Sequence, residues 1–181
     1  MRIKKWNARL SLLAVFAILF HTGYQTFAYI TFYYNPILSA VSGYTLAGVI
    51  VLHAILSVIS VFALHDSKTT AYKKLNIKTV LQRISAAVML LLLPLHIFSF
   101  VLLQSSAGSM GYYLIEACQI LFYASLYCHV AMSFTNALIT LGWLEDIKKK
   151  RIIDRILLGV CTVMFLITSI TITSTHLKIF G

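Results

Sequence analysis

The chain has 181 residues, of which 60% are hydrophobic and 11% are charged, and its mean hydropathy is +0.88. A soluble domain carries about 25% charged residues, so this composition excludes a water-soluble protein and predicts that most of the chain lies in lipid. The three cysteines have no C-x-x-C spacing, and no glycine-rich phosphate-binding loop is present. The sequence therefore gives no sign of an iron–sulfur, zinc, flavin or nucleotide site.

Five apolar stretches are long enough to cross a bilayer, which takes about 20 helical residues for about 30 Å of hydrocarbon. The first stretch exceeds a signal-peptide core and lacks a small-residue cleavage site, so we expect it to be retained as a helix. We predict an all-α membrane protein with a single domain over residues 1–181. Its five-helix transmembrane bundle has spans at 10–33, 44–65, 83–104, 112–142 and 156–177.

The net charge of +10 is distributed in a way that indicates membrane topology rather than nucleic-acid binding. By the positive-inside rule, the distribution puts the N-terminus in the cytoplasm and the C-terminus outside, in a multi-pass protein of the cell inner (cytoplasmic) membrane. Only Lys178 falls on the outer side. The other 14 basic residues precede span one, or lie between spans two and three or between spans four and five: Arg2, Lys4, Lys5, Arg9, Lys68, Lys73, Lys74, Lys78, Arg83, Lys148, Lys149, Lys150, Arg151 and Arg155.

One histidine lies within each of the first four spans: His21, His53, His96 and His129. Ionisable side chains inside a membrane are rare and usually functional. At 1.5 Å of rise per residue, each of them is roughly 18–24 Å from the cytoplasmic end of its span, which predicts a similar depth for all four. Imidazole is an axial ligand of heme iron, and helical bundles build cofactor sites between facing helices. The four histidines therefore predict two bis-histidine b-type hemes.

A proton relay or a metal-ion path would be another use for intramembrane histidines. Such a relay usually includes an intramembrane Asp or Glu, and only Glu116 fits, near the outer end of span four. The fifth span has no internal histidine. His65 and His176 are at span ends, where an interfacial histidine needs no special role.

Two segments echo each other, "RLSLLAVFAILFH" from Arg9 and "RISAAVMLLLLPLH" from Arg83. Each begins with Arg-x-Ser at the cytoplasmic boundary and ends at a histidine. Arg9, Ser11, Arg83 and Ser85 are therefore candidates for binding heme propionates, which need cationic and hydroxyl partners. The arginines could equally serve as positive-inside anchors alone.

With these residues in view, the chain resembles the diheme cytochrome b membrane subunit of succinate dehydrogenase/fumarate reductase, in its single-subunit, five-helix form. "VLQRISAAVMLLLLPLH" resembles that family's Gln-Arg-x-Ser/Thr segment leading to a helix-three ligand. "CHVAMSFTNALITLGW" resembles its helix-four segment, and "VLHAILSVISVFALHDSK" and "LLAVFAILFH" match helices two and one more loosely. The order and spacing of the four histidines is the strongest part of the resemblance.

The resemblance implies an electron-transfer subunit that is not catalytic alone. Electrons would pass between membrane quinone (menaquinone or ubiquinone) and a flavoprotein and an iron–sulfur subunit on the cytoplasmic face. It implies that His21 pairs with His96 toward the outer side, and His53 with His129 toward the cytoplasm. Arg83 would then bind a propionate of the inner heme. In some relatives a glutamate two residues before the helix-four ligand is linked to proton movement, but Tyr127 occupies that position here.

Two other interpretations stay open. Cytochrome b subunits of hydrogenases or formate dehydrogenases also carry membrane histidines, although on fewer helices. A small transporter would line a polar path with them, and Pro94 is one helix-breaking residue of the kind it needs. No quinone pocket is assigned, although four polar residues lie toward the outer side: Tyr24, Gln25, Glu116 and His176.

Overall fold

The computed structural model describes the backbone of residues 2–63 and 73–180 and the side chains of residues 2–60 and 77–180. In these ranges every regular element is an α-helix, and five of the helices are long and apolar enough to cross a membrane. The all-α architecture and the five membrane-length helices predicted from the sequence are thus confirmed in the described part of the chain. The elements are α1 (Arg2–Thr31), α2 (Pro36–Ala63), α3 (Lys73–Ile97), α4 (Ser99–Ser105), α5 (Met110–Leu141) and α6 (Ile147–Phe180).

The third span differs from its predicted bounds of 83–104. Helix α3 begins ten residues earlier, at Lys73, and ends at Ile97, after which Phe98 (φ −95°, ψ 7°) separates it from the short α4. The hydroxyl of Ser99 donates to the carbonyl oxygen of His96 at 2.9 Å. A side chain bonded in this way competes with the backbone for its partners, and Pro94, in the last turn of α3, lacks the N–H that would donate to the carbonyl oxygen of residue 90. The apolar pattern runs through this break, which is why the sequence reads as one helix.

Side-chain contacts define two ends of the bundle. At the basic end, the start of α1 meets the end of α2 through Asn7 and Ser57, and the start of α3 meets the end of α5 through Gln82 and Asn136. At the opposite end, the hydroxyl of Tyr24 on α1 accepts from the backbone N–H of Asn35 and donates to its carbonyl oxygen, which closes the turn into α2. Each long helix therefore runs the length of the bundle.

Helix α5 is the centre of the bundle. Its residues Phe122, Tyr123 and Leu126 are buried in the main core, together with Ile18 from α1 and Met89 from α3. Helix α2, by contrast, packs mainly against α1, whereas α3 packs mainly against α5. Helix α1 also packs against α5 and α6, so a crevice lies between α2 and the α3–α5 pair. Large apolar side chains cover the outside, as expected of a surface that contacts lipid.

A polar cluster fastens three helices at the basic end. Asp154 of α6 accepts from Lys78 of α3 at 2.9 Å, from Lys150 at 2.7 Å and from the hydroxyl of Thr135 of α5 at 2.7 Å. Thr135 is completely buried. Hydrogen bonds to charged groups are stronger than neutral ones, so this cluster stabilises the junction of α3, α5 and α6.

Replacing Asp154 with asparagine is expected to destabilise this junction by about 1–3 kcal/mol, because two lysines lose their counter-charge. In a chain of this size, each 1 kcal/mol lowers Tm by about 2–4 °C. Thermal unfolding of the detergent-solubilised protein, followed by circular dichroism, measures the change. Glu145→Gln, at an exposed position of the same end, is the matched control. An equal Tm for both variants would show that the cluster contributes nothing to stability.

Candidate cofactor-binding site

Two of the four histidines face each other at the basic end. The rings of His53 on α2 and His129 on α5 have centroids 6.5 Å apart, with an angle of 65° between their planes. Metal–imidazole bonds are about 2 Å long and the ring centre lies about 1 Å beyond the nitrogen, so two imidazoles on opposite sides of one ion have centroids about 6 Å apart. We call His53 and His129 the basic-end pair. Its spacing leaves room for one metal ion between the rings.

The other two histidines lie toward the opposite end, and we call them the opposite-end pair. His21 of α1 and His96 of α3 line the same cavity, whose volume is about 410 Å³. Volumes of this order are typical of sites for small molecules and cofactors. The ring of His96 stacks on Phe122 of α5 at 4.4 Å, which fixes its orientation. The cavity lies where the α1–α2 hairpin faces α3 and α5.

Three of these imidazoles have a hydrogen-bonded Nδ1. His129 Nδ1 is 2.9 Å from the carbonyl oxygen of Gln82, and His96 Nδ1 is 2.9 Å from Oε1 of Gln119, whose Nε2 donates to a carbonyl oxygen. His21 Nδ1 is 3.2 Å from the hydroxyl of Ser42, and that hydroxyl donates its hydrogen to the carbonyl oxygen of residue 39. Each partner oxygen therefore accepts, so each Nδ1 carries the hydrogen.

A neutral imidazole with its hydrogen on Nδ1 has a free electron pair on Nε2. This is the arrangement found in metal-bound histidines, where the second ring nitrogen donates to a carbonyl, an amide or a carboxylate. The fourth histidine differs. Nδ1 of His53 is buried without a hydrogen bond of good geometry, although the backbone of Asn7 is close to it.

The two pairs lie at different depths, so the expectation of similar depth for all four histidines is wrong. His129 is bonded to residue 82 of α3, whereas His96 is 14 residues further along the same helix. At 1.5 Å of rise per residue this is about 20 Å. The depth estimate failed because it treated Arg9 and Arg83 as helix ends. Both residues are inside helices that begin seven and ten residues earlier.

The four candidate propionate residues are all in the basic-end half of α1 and α3. Ser85 is buried, and its hydroxyl donates to the carbonyl oxygen of Gln82 that also accepts from His129. Ser11 donates to the carbonyl oxygen of Ala8, within its own helix. Arg9 is exposed over the ring of Trp6 at 5.0 Å, and Arg83 is exposed one residue after Gln82. Of the four, Ser85 has the most direct connection to a histidine pair.

Sequence reasoning missed several polar partners. Gln119, only 1% exposed, bonds to His96, and Ser42 bonds to His21. In the sequence, both Gln119 and Ser42 are polar residues inside apolar runs, and this feature could have identified them as partners of the histidines. His176, treated as an interfacial residue, is instead 1% exposed and is bonded to Glu116. His65 lies outside the described residues.

The described residues differ from a site for a bare metal ion. They contain no group of three or more His, Cys, Asp or Glu side chains that could hold a bare metal ion. Heme needs only two axial ligands from the protein, because the porphyrin supplies the other four. The spacing of the basic-end pair and the cavity lined by the opposite-end pair are compatible with two axial histidines at each of two sites.

No protein-family model, characterised protein or solved structure matches this chain. The described residues define an all-helical protein with five helices that could span a membrane and two pairs of inward-facing histidines.

Proposed function

We propose that this protein is the diheme membrane anchor of a succinate:quinone oxidoreductase complex, of the succinate dehydrogenase or fumarate reductase type. Two histidine pairs on four different helices, with Nδ1 bonded to an acceptor in three of the four rings, support this proposal most directly. When bound, each heme supplies a one-electron couple. Two six-coordinate hemes have no open position for oxygen, so they would carry electrons.

The residues of the chain have defined roles in this proposal. The four histidines would hold the two irons, and the two pairs lie at different depths, which would let an electron cross the bundle in two stages. Gln119 and Ser42 orient the opposite-end pair, and the carbonyl oxygen of Gln82 orients His129. Orientation of this kind fixes the ring tautomer and adjusts the electron density at the metal.

The basic end would face the cytoplasm of a cell whose inner membrane holds the protein. A flavoprotein and an iron–sulfur subunit would dock there, since the described residues offer no soluble domain of their own. Membrane quinone (menaquinone or ubiquinone) would be the other electron carrier. The chain alone would not be an enzyme.

We expect the purified protein to contain two b-type hemes per chain. A pyridine hemochrome assay with protein quantification measures this ratio, and low-spin visible and electron paramagnetic resonance spectra test for bis-histidine ligation. A preparation from native membranes should also contain the flavoprotein and the iron–sulfur subunit. Absence of heme from protein purified under conditions that supply it would refute the proposed function.

One observation favours a second candidate, a small transporter with a polar path. The helix break between α3 and α4 occurs two residues after His96, and interrupted helices are typical of transporter binding sites. The other membrane-length helices are continuous. The visible spectrum of the purified protein separates the two functions, because a transporter of this kind would be colourless.

A further inference from the structure

A buried acid–base pair at the opposite end of the bundle is separate from the two histidine pairs. Nδ1 of His176 on α6 is 2.9 Å from Oε2 of Glu116 on α5, and the two residues are 1% and 6% exposed. Nε2 of His176 is 3.2 Å from the hydroxyl of Tyr29 on α1. Burial of ionisable groups in a membrane-length helix is costly, so a functional role is the first explanation to test.

The contacts of this pair leave one atom free to take up a proton. His176 can donate from Nδ1 to Glu116 while it accepts from Tyr29 at Nε2, which makes the trio negative by one charge. The second carboxylate oxygen of Glu116, Oε1, is buried without a hydrogen bond of good geometry, although the hydroxyl of Thr173 on α6 is close to this carboxylate. A proton added there would neutralise the trio without breaking either existing hydrogen bond.

The pair is also placed to sense a charge at the opposite-end heme site. Tyr29 and His176 line the same cavity as His21 and His96. Charges separated by a low-dielectric interior interact much more strongly than in water. Ferric heme is more positive by one charge than ferrous heme, so the oxidised state stabilises a negative trio and the reduced state does not.

A route for protons leads from the pair to the end of the bundle. Tyr112 is one helical turn before Glu116 and two residues after the start of α5, and its buried hydroxyl has no hydrogen-bond partner. The titratable groups that face Glu116 in the described residues are Tyr29, Tyr112, Tyr123 and His176. The hydroxyl of Tyr112 and Oε1 of Glu116 both lack a hydrogen bond of good geometry to the protein, so water molecules would be held beside them.

We propose that Glu116 and His176 form a redox-linked proton site for the opposite-end heme. When one electron reduces the iron held by His21 and His96, one proton from water at the opposite end binds to Glu116, and reoxidation releases both. The electron and the proton enter and leave together, so the net charge of the site does not change in either direction. This inference rests on the proposed function, because it requires the iron.

Redox titration of the purified holoprotein at several pH values tests the proposal. The opposite-end heme should have a potential that falls as pH rises, by up to about 59 mV for each tenfold change in proton activity. Glu116→Gln should remove this dependence and leave the basic-end heme unchanged. Glu145→Gln, at an exposed site of the basic end, is the matched control and should keep it. The single-heme variants His96→Ala and His129→Ala assign the two signals.

A second measurement covers the case in which Glu116→Gln loses the heme. Photoreduction of the wild-type protein in weakly buffered solution with a pH dye counts the protons taken up per electron. Proton uptake should be substantial when the opposite-end heme is reduced. It should decrease in Tyr29→Phe, which removes only a hydroxyl, but not in the control Tyr33→Phe on the exposed surface. Two hemes with pH-independent potentials and no proton uptake would overturn this inference alone. Absence of heme would overturn it together with the proposed function.

Discussion

Replacing His96 with alanine is expected to lower the heme content from about two to about one per chain, because a bis-histidine iron loses one of its two protein ligands. His21→Ala should remove the same spectroscopic signal, since the two residues line one cavity. His53→Ala and His129→Ala should both remove the other signal, because their rings face each other. Hemochrome assays and low-temperature visible spectra of the four variants measure the loss.

The control for this set is Ser57→Ala, one turn after His53 on α2, which removes a hydrogen bond to the side chain of Asn7 and leaves all four histidines in place. It should retain both hemes. The pairing would be wrong if His21→Ala and His53→Ala removed the same signal. The assignment of these residues as ligands would be wrong if all four variants kept both hemes.

Replacing Gln119 with glutamate is expected to lower the potential of the opposite-end heme by on the order of 60 mV, equivalent to a tenfold change for a one-electron couple. A carboxylate that accepts from His96 Nδ1 gives the imidazole more anionic character, which stabilises ferric iron. Gln119→Leu should instead leave Nδ1 of His96 buried without a partner and weaken heme retention about 10- to 100-fold. Redox titration and heme release to an acceptor protein measure the two effects.

The matched control is Gln82→Glu, which places the same charge beside the basic-end pair, where Gln82 bonds to Asn136. That variant should lower the potential of the basic-end heme and leave the potential of the opposite-end heme unchanged. If both variants shifted the potentials of both hemes equally, the new charge would be acting over a long distance. The hydrogen bond to His96 would then have no specific effect on the potential.

Hydropathy was sufficient to predict the five membrane-length helices, because lipid demands about 20 apolar residues in succession whatever the tertiary packing. It did not predict the end of α3 at Ile97. That break depends on Pro94 and on a local hydrogen bond from Ser99 to His96, both inside an unbroken apolar run. Hydropathy indicates whether lipid or water surrounds a helix, whereas backbone hydrogen bonding determines where the helix ends.

The four histidines were also identifiable from the sequence, because each is an isolated ionisable residue in an apolar span. Their depths were not, since the estimate needed helix ends that a charge pattern marks only loosely. The hydrogen bonds that define their tautomers connect residues 21 to 47 positions apart in the chain. Contacts between residues so far apart in the chain depend on how the helices pack. Local sequence patterns do not show that packing.

The peripheral position of α2 bears on how such a protein would be assembled. This helix is fastened mainly to α1, yet it carries His53, whose partner His129 is on the central helix α5. Helix α1 is already packed against α5 and α6, so a cofactor held by these two rings would chiefly link α2 to the central helix α5. Heme insertion would then be a late step of biogenesis, in which the cofactor fastens α2 to a bundle that α1, α3, α5 and α6 form by their own packing.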